Sequence, residues 1–116
     1  MSPAGSSRVL QVTLPVVKAG FVVEGWCFCE FQINTDVADT SISNTIFEKA
    51  TMFATIRPTL DSQGSTKLTL ARANRPQDVA IFPIMVVEDA DAVLGRNAIQ
   101  YFWPDVLRRV KVVPRL

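Results

Sequence analysis

The side chains best placed to do chemistry gather in one stretch, Ile33-Asn34-Thr35-Asp36-Val37-Ala38-Asp39-Thr40-Ser41-Ile42. Ahead of it runs Trp26-Cys27-Phe28-Cys29-Glu30-Phe31-Gln32-Ile33, whose aromatic and β-branched residues suit a strand. Asn34-Thr35-Asp36 interrupts that strand with turn formers whose side chains bond the local backbone. Thr40-Ser41-Ile42 then resumes an extended, β-branched run. A strand that stops at a small polar loop and restarts holds polar groups at the bottom of a cleft.

Other chemistries are removed by composition. The chain has no histidine, which eliminates Ser-His-Asp and Cys-His catalysis, histidine zinc sites and histidine pH switches. Cys27 and Cys29 are the two cysteines. On a strand they share a face, where such neighbours rarely bridge each other. As half of a metal site they leave the shell unfilled, so no metal or other cofactor is expected. Two small buried apolar residues in a reducing compartment is the better account.

The elements that must position the loop are mostly strands. At 116 residues, with 48% apolar and 20% charged side chains, the chain is one globular domain. Residues 1–8 read as a flexible N-terminal segment and 9–116 as a single domain. The small polar run Met1 to Ser7 is not a signal peptide, and no apolar run reaches the length of a membrane span. These features imply an intracellular protein, or a piece of a larger one, with no membrane partner. Net charge is +1, and the basic tail Arg108, Arg109, Lys111 and Arg115 lacks interleaved aromatics. It reads as a solvated face rather than a nucleic-acid surface.

Strands are expected at Val9–Leu14, Val16–Val23, Trp26–Ile33 (after a Glu24-Gly25 turn), Lys67–Ala71 and Ala92–Leu94. Val110–Val113 is a further one near the terminus. Ile46–Phe53 suits a helical turn or a strand equally. Arg57 to Thr66, with Pro58 and Gly64, is a loop or hairpin tip, and Asn74–Asp78 a turn. Val79–Val87 is nearly all apolar and reads as a strand buried on both faces, although Pro83 demands a bulge or an edge. Glu88-Asp89-Ala90-Asp91 is an acidic turn. A helix is expected from Asn97 to Trp103, with Asn97 as its N-cap and Pro104 as its stop.

Two segments together resemble the retroviral-type aspartic proteases, the retropepsins. Phe31 to Ile42 is similar to that family's hydrophobic strand running into Asp-Thr-Gly-Ala and then a Ser/Thr with apolar residues. Asp89 to Ile99, containing Leu94-Gly95-Arg96-Asn97, is similar to its apolar-apolar-Gly-Arg-Asp/Asn signature leading into a helix. Gln11 to Ala19 also looks like N-terminal segments of retroviral proteases. The resemblance implies an all-β fold, a small closed barrel with one short C-terminal helix, working as a homodimer in a cytoplasmic or virion-like particle setting. It implies an endopeptidase acting on a polypeptide substrate, with two carboxylates that share a proton across the symmetry axis.

The same resemblance puts Asn34 at the position of the catalytic aspartate and Asp36 at the position of the glycine. The family's glycine-rich flap tip has only Gly64 as a counterpart. Thr35 would form the interchain hydrogen-bond grip, or merely bond its own backbone. Val37, Ala38 and Asp39 would contact substrate, and Ala38 replaces a family aspartate. Gly95, Arg96 and Asn97 would be structural: Gly95 permits close backbone approach, and Arg96 braces the loop through a buried ion pair with Asp39 or is a surface arginine. Tyr101 and Trp103 pack the helix. An Asn34 pair cannot take up a proton near neutral pH. Two accounts of Asn34 stay open: an Asp→Asn change in an otherwise intact protease, or a fold retained as a binding module after catalysis was lost. A frame moved by two residues would instead put the carboxylate at Asp36.

Overall fold

A computed structural model describes residues 17–107. The elements in order are β1 (Lys18–Val23), β2 (Cys27–Ile33), β3 (Thr40–Ser43), α1 (Asn44–Ala50), β4 (Ser65–Arg72), β5 (Arg75–Val87), β6 (Val93–Leu94) and α2 (Arg96–Phe102). The strands close into a barrel in the order β1-β2-β6-β3-β5-β4, with β4 returning to pair antiparallel with β1. The class is all-β, as expected. The expected strands at Val9–Leu14 and Val110–Val113, and the segment 1–8, lie outside the described residues.

Alternation builds the barrel. Cys27, Cys29 and Phe31 of β2 point inward while Phe28 and Glu30 point out, the period-two pattern of a half-buried strand. β1 and β2 form a hairpin in which Val23 faces Cys27, turned by Glu24 and Gly25, both at positive φ. Phe21, Phe31, Ile42, Leu68, Leu70, Ile84, Leu94 and Ile99 form the fully buried centre. Phe21 meets Phe31 and Phe102 edge-on, with ring centroids 5.4 and 5.1 Å apart. Each such ring taken out of water contributes about 2–3 kcal/mol, so this cluster dominates the stability. Both cysteines are buried and free.

One open alternative is decided and two expectations are corrected. The chain has a second helix, α1, where Ile46–Phe53 had been ambiguous; Ser43 caps it, its Oγ accepting from the Ile46 N–H at 3.1 Å. The expected Asn74–Asp78 turn is confined to Ala73-Asn74, and β5 already begins at Arg75. β5 is not buried on both faces, since Val79 is 50% and Ile81 66% exposed. The reason is its pairing. β4 pairs with β5 from Val79 to Met85 and again at Arg75, but β3 joins only from Ile84 onward, so residues 75–83 form an edge segment. Pro83, the last residue before β3 joins, sits where the edge tolerates it. No helix among the described residues is long and apolar enough to cross a membrane.

Candidate active-site loop

The loop 34–39 hangs between β2 and β3, and the Gly95 turn is driven into it. Parallel pairing of β2 with β6 aligns Ile33 with Leu94, and the Asn34 N–H extends that ladder to the Leu94 carbonyl at 3.1 Å. The Arg96 N–H then donates to the Val37 carbonyl at 2.9 Å and the Asn97 N–H to the Ala38 carbonyl at 3.1 Å. The first turn of α2 is therefore capped by carbonyls of the loop, which satisfies donors a helix start leaves open. The two motifs read from the sequence meet in space.

Thr40 and Asn97 lock the contact. The Thr40 Oγ1 accepts from the buried Gly95 N–H at 3.0 Å and donates to Asn97 Oδ1 at 2.7 Å. Asn97 Oδ1 also accepts from the Thr40 N–H at 3.2 Å, and its Nδ2 donates to the Pro83 carbonyl at 2.9 Å. Asn97 thus ties β3, β5 and α2 together and is not the helix cap. That position belongs to Gly95, which has no side chain to cap with. A Cβ on Gly95 would lie 2.5 Å from the Asp39 carbonyl carbon and oxygen, so close approach is its function here.

Arg96 braces the loop differently from the expected buried ion pair. It is exposed, forms no ion pair with Asp39 among the described residues, and donates from Nη1 to the Thr35 carbonyl at 3.1 Å. Asp36, Val37, Ala38 and Asp39 are all exposed, while Asn34 and Thr35 are half-buried. Asn34 Oδ1 accepts from the Asp36 N–H at 2.9 Å, so the other polar atom of the amide is Nδ2, a donor. Among the described residues no group of three or more His, Cys, Asp or Glu side chains could hold a metal.

The region expected to carry a flap is short and tied down. Asp61 Oδ1 accepts from the Gln63 and Ser65 N–H groups, both at 2.9 Å, closing a tight turn at Asp61–Gly64. The Gly64 carbonyl then accepts from the Val86 N–H at 2.9 Å. Val86 aligns with Ile42, near the far end of β3 from the loop. Three strand steps from Thr40 to Ser43 amount to roughly 10 Å, so this turn does not overhang Asn34. Beside Thr35, in contrast, lies an apolar trough of about 600 Å³ lined by Val17, Ala19, Ile33, Trp103 and Val106.

Sequence reading found the loop and the Gly-Arg-Asn turn but missed the hub role of Thr40 and the Gly64–Val86 tether. The spacing of Thr40 from the loop was a usable signal for the first. Nothing local to Gly64 announces the second, which is a pairing across the barrel.

The closed barrel of the six described strands, with its polar loop pinned by the Gly-Arg-Asn turn, is similar in fold to retroviral protease structures. The equine infectious anaemia virus (EIAV) protease complexed with the inhibitor HBY-793 superimposes with a TM-score of 0.60 at 12% identity, covering 77% of this chain and 89% of that one. The retroviral protease-like domain of Ddi1 from Leishmania major gives 0.56 at 10% identity, covering 77% and 74%. No protein-family model and no curated protein sequence matches the chain.

Proposed function

We propose that this chain is a retropepsin-type domain that pairs with a second copy across the Asn34 loop and binds polypeptide without hydrolysing it. The observation that carries the reading is the Asn34 amide, whose Oδ1 accepts from the Asp36 N–H; the resemblance in sequence puts this side chain where paired-carboxylate chemistry would need an acid. Hydrolysis by paired carboxylates requires one to draw a proton from water while the other protonates the oxyanion. An amide does neither, and losing such a group costs several orders of magnitude in rate. The tethered turn at Asp61–Gly64 supports a binding role further, because its bond to Val86 leaves it little freedom to close over the loop and exclude water. The apolar trough beside Thr35, lined by Ala19, Ile33 and Trp103, supports pairing with a second copy there.

A second reading, an endopeptidase disabled by a single change, is favoured by the intact packing of Gly95 against Asp39. Digestion of a peptide library by the chain and by Asn34→Asp decides between them. Silence from both supports the binding module. Pepstatin-sensitive cleavage by Asn34→Asp overturns it in favour of the disabled protease, and a monomeric mass in sedimentation removes the paired arrangement altogether.

A further inference from the structure

The two most exposed large apolar side chains among the described residues, Ile56 and Phe53, sit three residues apart in the chain just after α1, with Met52 beside them and Trp26 against Phe53. Ile56 is 86%, Phe53 74%, Met52 53% and Trp26 42% exposed. Three of them fall within five consecutive residues just after α1. Trp26 joins them from the β1–β2 turn, its ring 5.0 Å from that of Phe53 and its Nε1 donating to the Ala50 carbonyl at 3.1 Å. The indole is therefore fixed, and it presents one face to the patch. Trp26 precedes β2 and Asn34 follows it, so the patch and the loop stand at opposite ends of that strand, roughly 20 Å apart.

We propose that this patch is a second self-association surface, whose occupant is the same patch on another copy of the chain. Two observations favour a second copy. One is area: four side chains this exposed present on the order of 500 Å² of apolar surface, near the upper end for a monomer without a partner. Doubled by a two-fold axis this is roughly 1,000 Å², the size at which specific interfaces begin. The other is charge. Glu48 and Arg57 border the patch, half-exposed and 2.9 Å apart. In an isologous contact residue i meets j and j meets i, so a border that carries both signs offers two symmetric Glu48–Arg57 pairings between copies, which a single-sign border does not. Used together with pairing at the Asn34 loop, this surface builds assemblies larger than a dimer.

Sedimentation of the full chain over a range of micromolar concentrations tests this, beside Phe53→Glu/Ile56→Glu. Both positions are exposed, so the fold is expected to survive, and unchanged circular dichroism verifies it. The wild type is expected to reach at least twice the limiting mass of the variant. Identical masses at every concentration overturn the proposal, whether or not some other protein covers the patch. A variant that remains dimeric retains the loop pairing, whereas a monomeric variant beside a dimeric wild type removes that pairing and leaves this surface standing. Arg57→Glu is expected to weaken the larger species several-fold, and the swap Glu48→Arg/Arg57→Glu to restore it. A swap that restores nothing overturns the two-fold charge arrangement.

Discussion

Thr40 and Asn97, 57 residues apart in sequence, share a hydrogen bond of 2.7 Å between hydroxyl and side-chain amide. Through it the strand that follows the loop and the helix that follows the glycine turn become one unit. Thr40→Val keeps the shape but strands the Gly95 N–H and removes a donor to Asn97. A loss of about 2–3 kcal/mol in urea unfolding is expected. Asn97→Ala should cost a similar amount, and the double variant less than the sum, by about 1 kcal/mol or more.

Gly95→Ala tests the close approach to Asp39. Gly95 has φ −93°, which any residue adopts, so the cost is steric alone. The atoms in the way are backbone, with no flexible tip to give. Destabilisation of about 3 kcal/mol is expected from chemical denaturation. Gly25→Ala is the contrast: it has no neighbour within 4 Å but φ +81°, and its cost of about 1 kcal/mol reports backbone conformation only.

Cys29 sets an alkaline limit. Burial, with a smaller contribution from Cys27, pushes its thiol from 9.0 to about 11. The fold keeps a proton that the unfolded chain releases, so this contribution is complete below pH 9.0 and is lost as pH rises towards about 11. Cys29→Ala should flatten that part of a stability–pH curve. For the same reason alkylation of Cys29 in the native protein at mildly alkaline pH should be much slower than that of a free thiol.

Asp61→Ala probes the tethered turn. Removing the carboxylate leaves the Gln63 and Ser65 N–H groups without their acceptor and loosens the Gly64 carbonyl from Val86. Native-state hydrogen exchange at the Val86 amide is expected to accelerate about tenfold, with global stability changed by about 1 kcal/mol or less. Unchanged exchange at Val86 would show that the turn is not held by Asp61.

What the sequence disclosed follows the range of the interactions involved. β2 was legible because its inward and outward residues alternate over seven positions. The meeting of Asn34–Asp39 with Gly95–Asn97 was legible through the resemblance, not through any local signal. α1 was ambiguous because its cap, Ser43, also closes a β-branched strand. Asn97 looked like a helix cap because its type suits one, whereas loop carbonyls from Val37 and Ala38 already occupy the helix start and free its side chain to bridge strands. The apolar run 79–87 suggested two buried faces; its first half has a neighbour on one side only, a fact of topology that hydrophobicity does not encode.

The placement of the two tryptophans has a practical result. Trp26 sits against Phe53 past one end of β1, and Trp103 borders the trough near Ala19 at the other. Trp103 also meets Phe21 edge-on, with ring centroids 5.9 Å apart, so the two indoles have different neighbours. Phenylalanine replacement of either leaves a single emitter, so quenching or a spectral shift can be attributed to one pole of the barrel without attaching any dye.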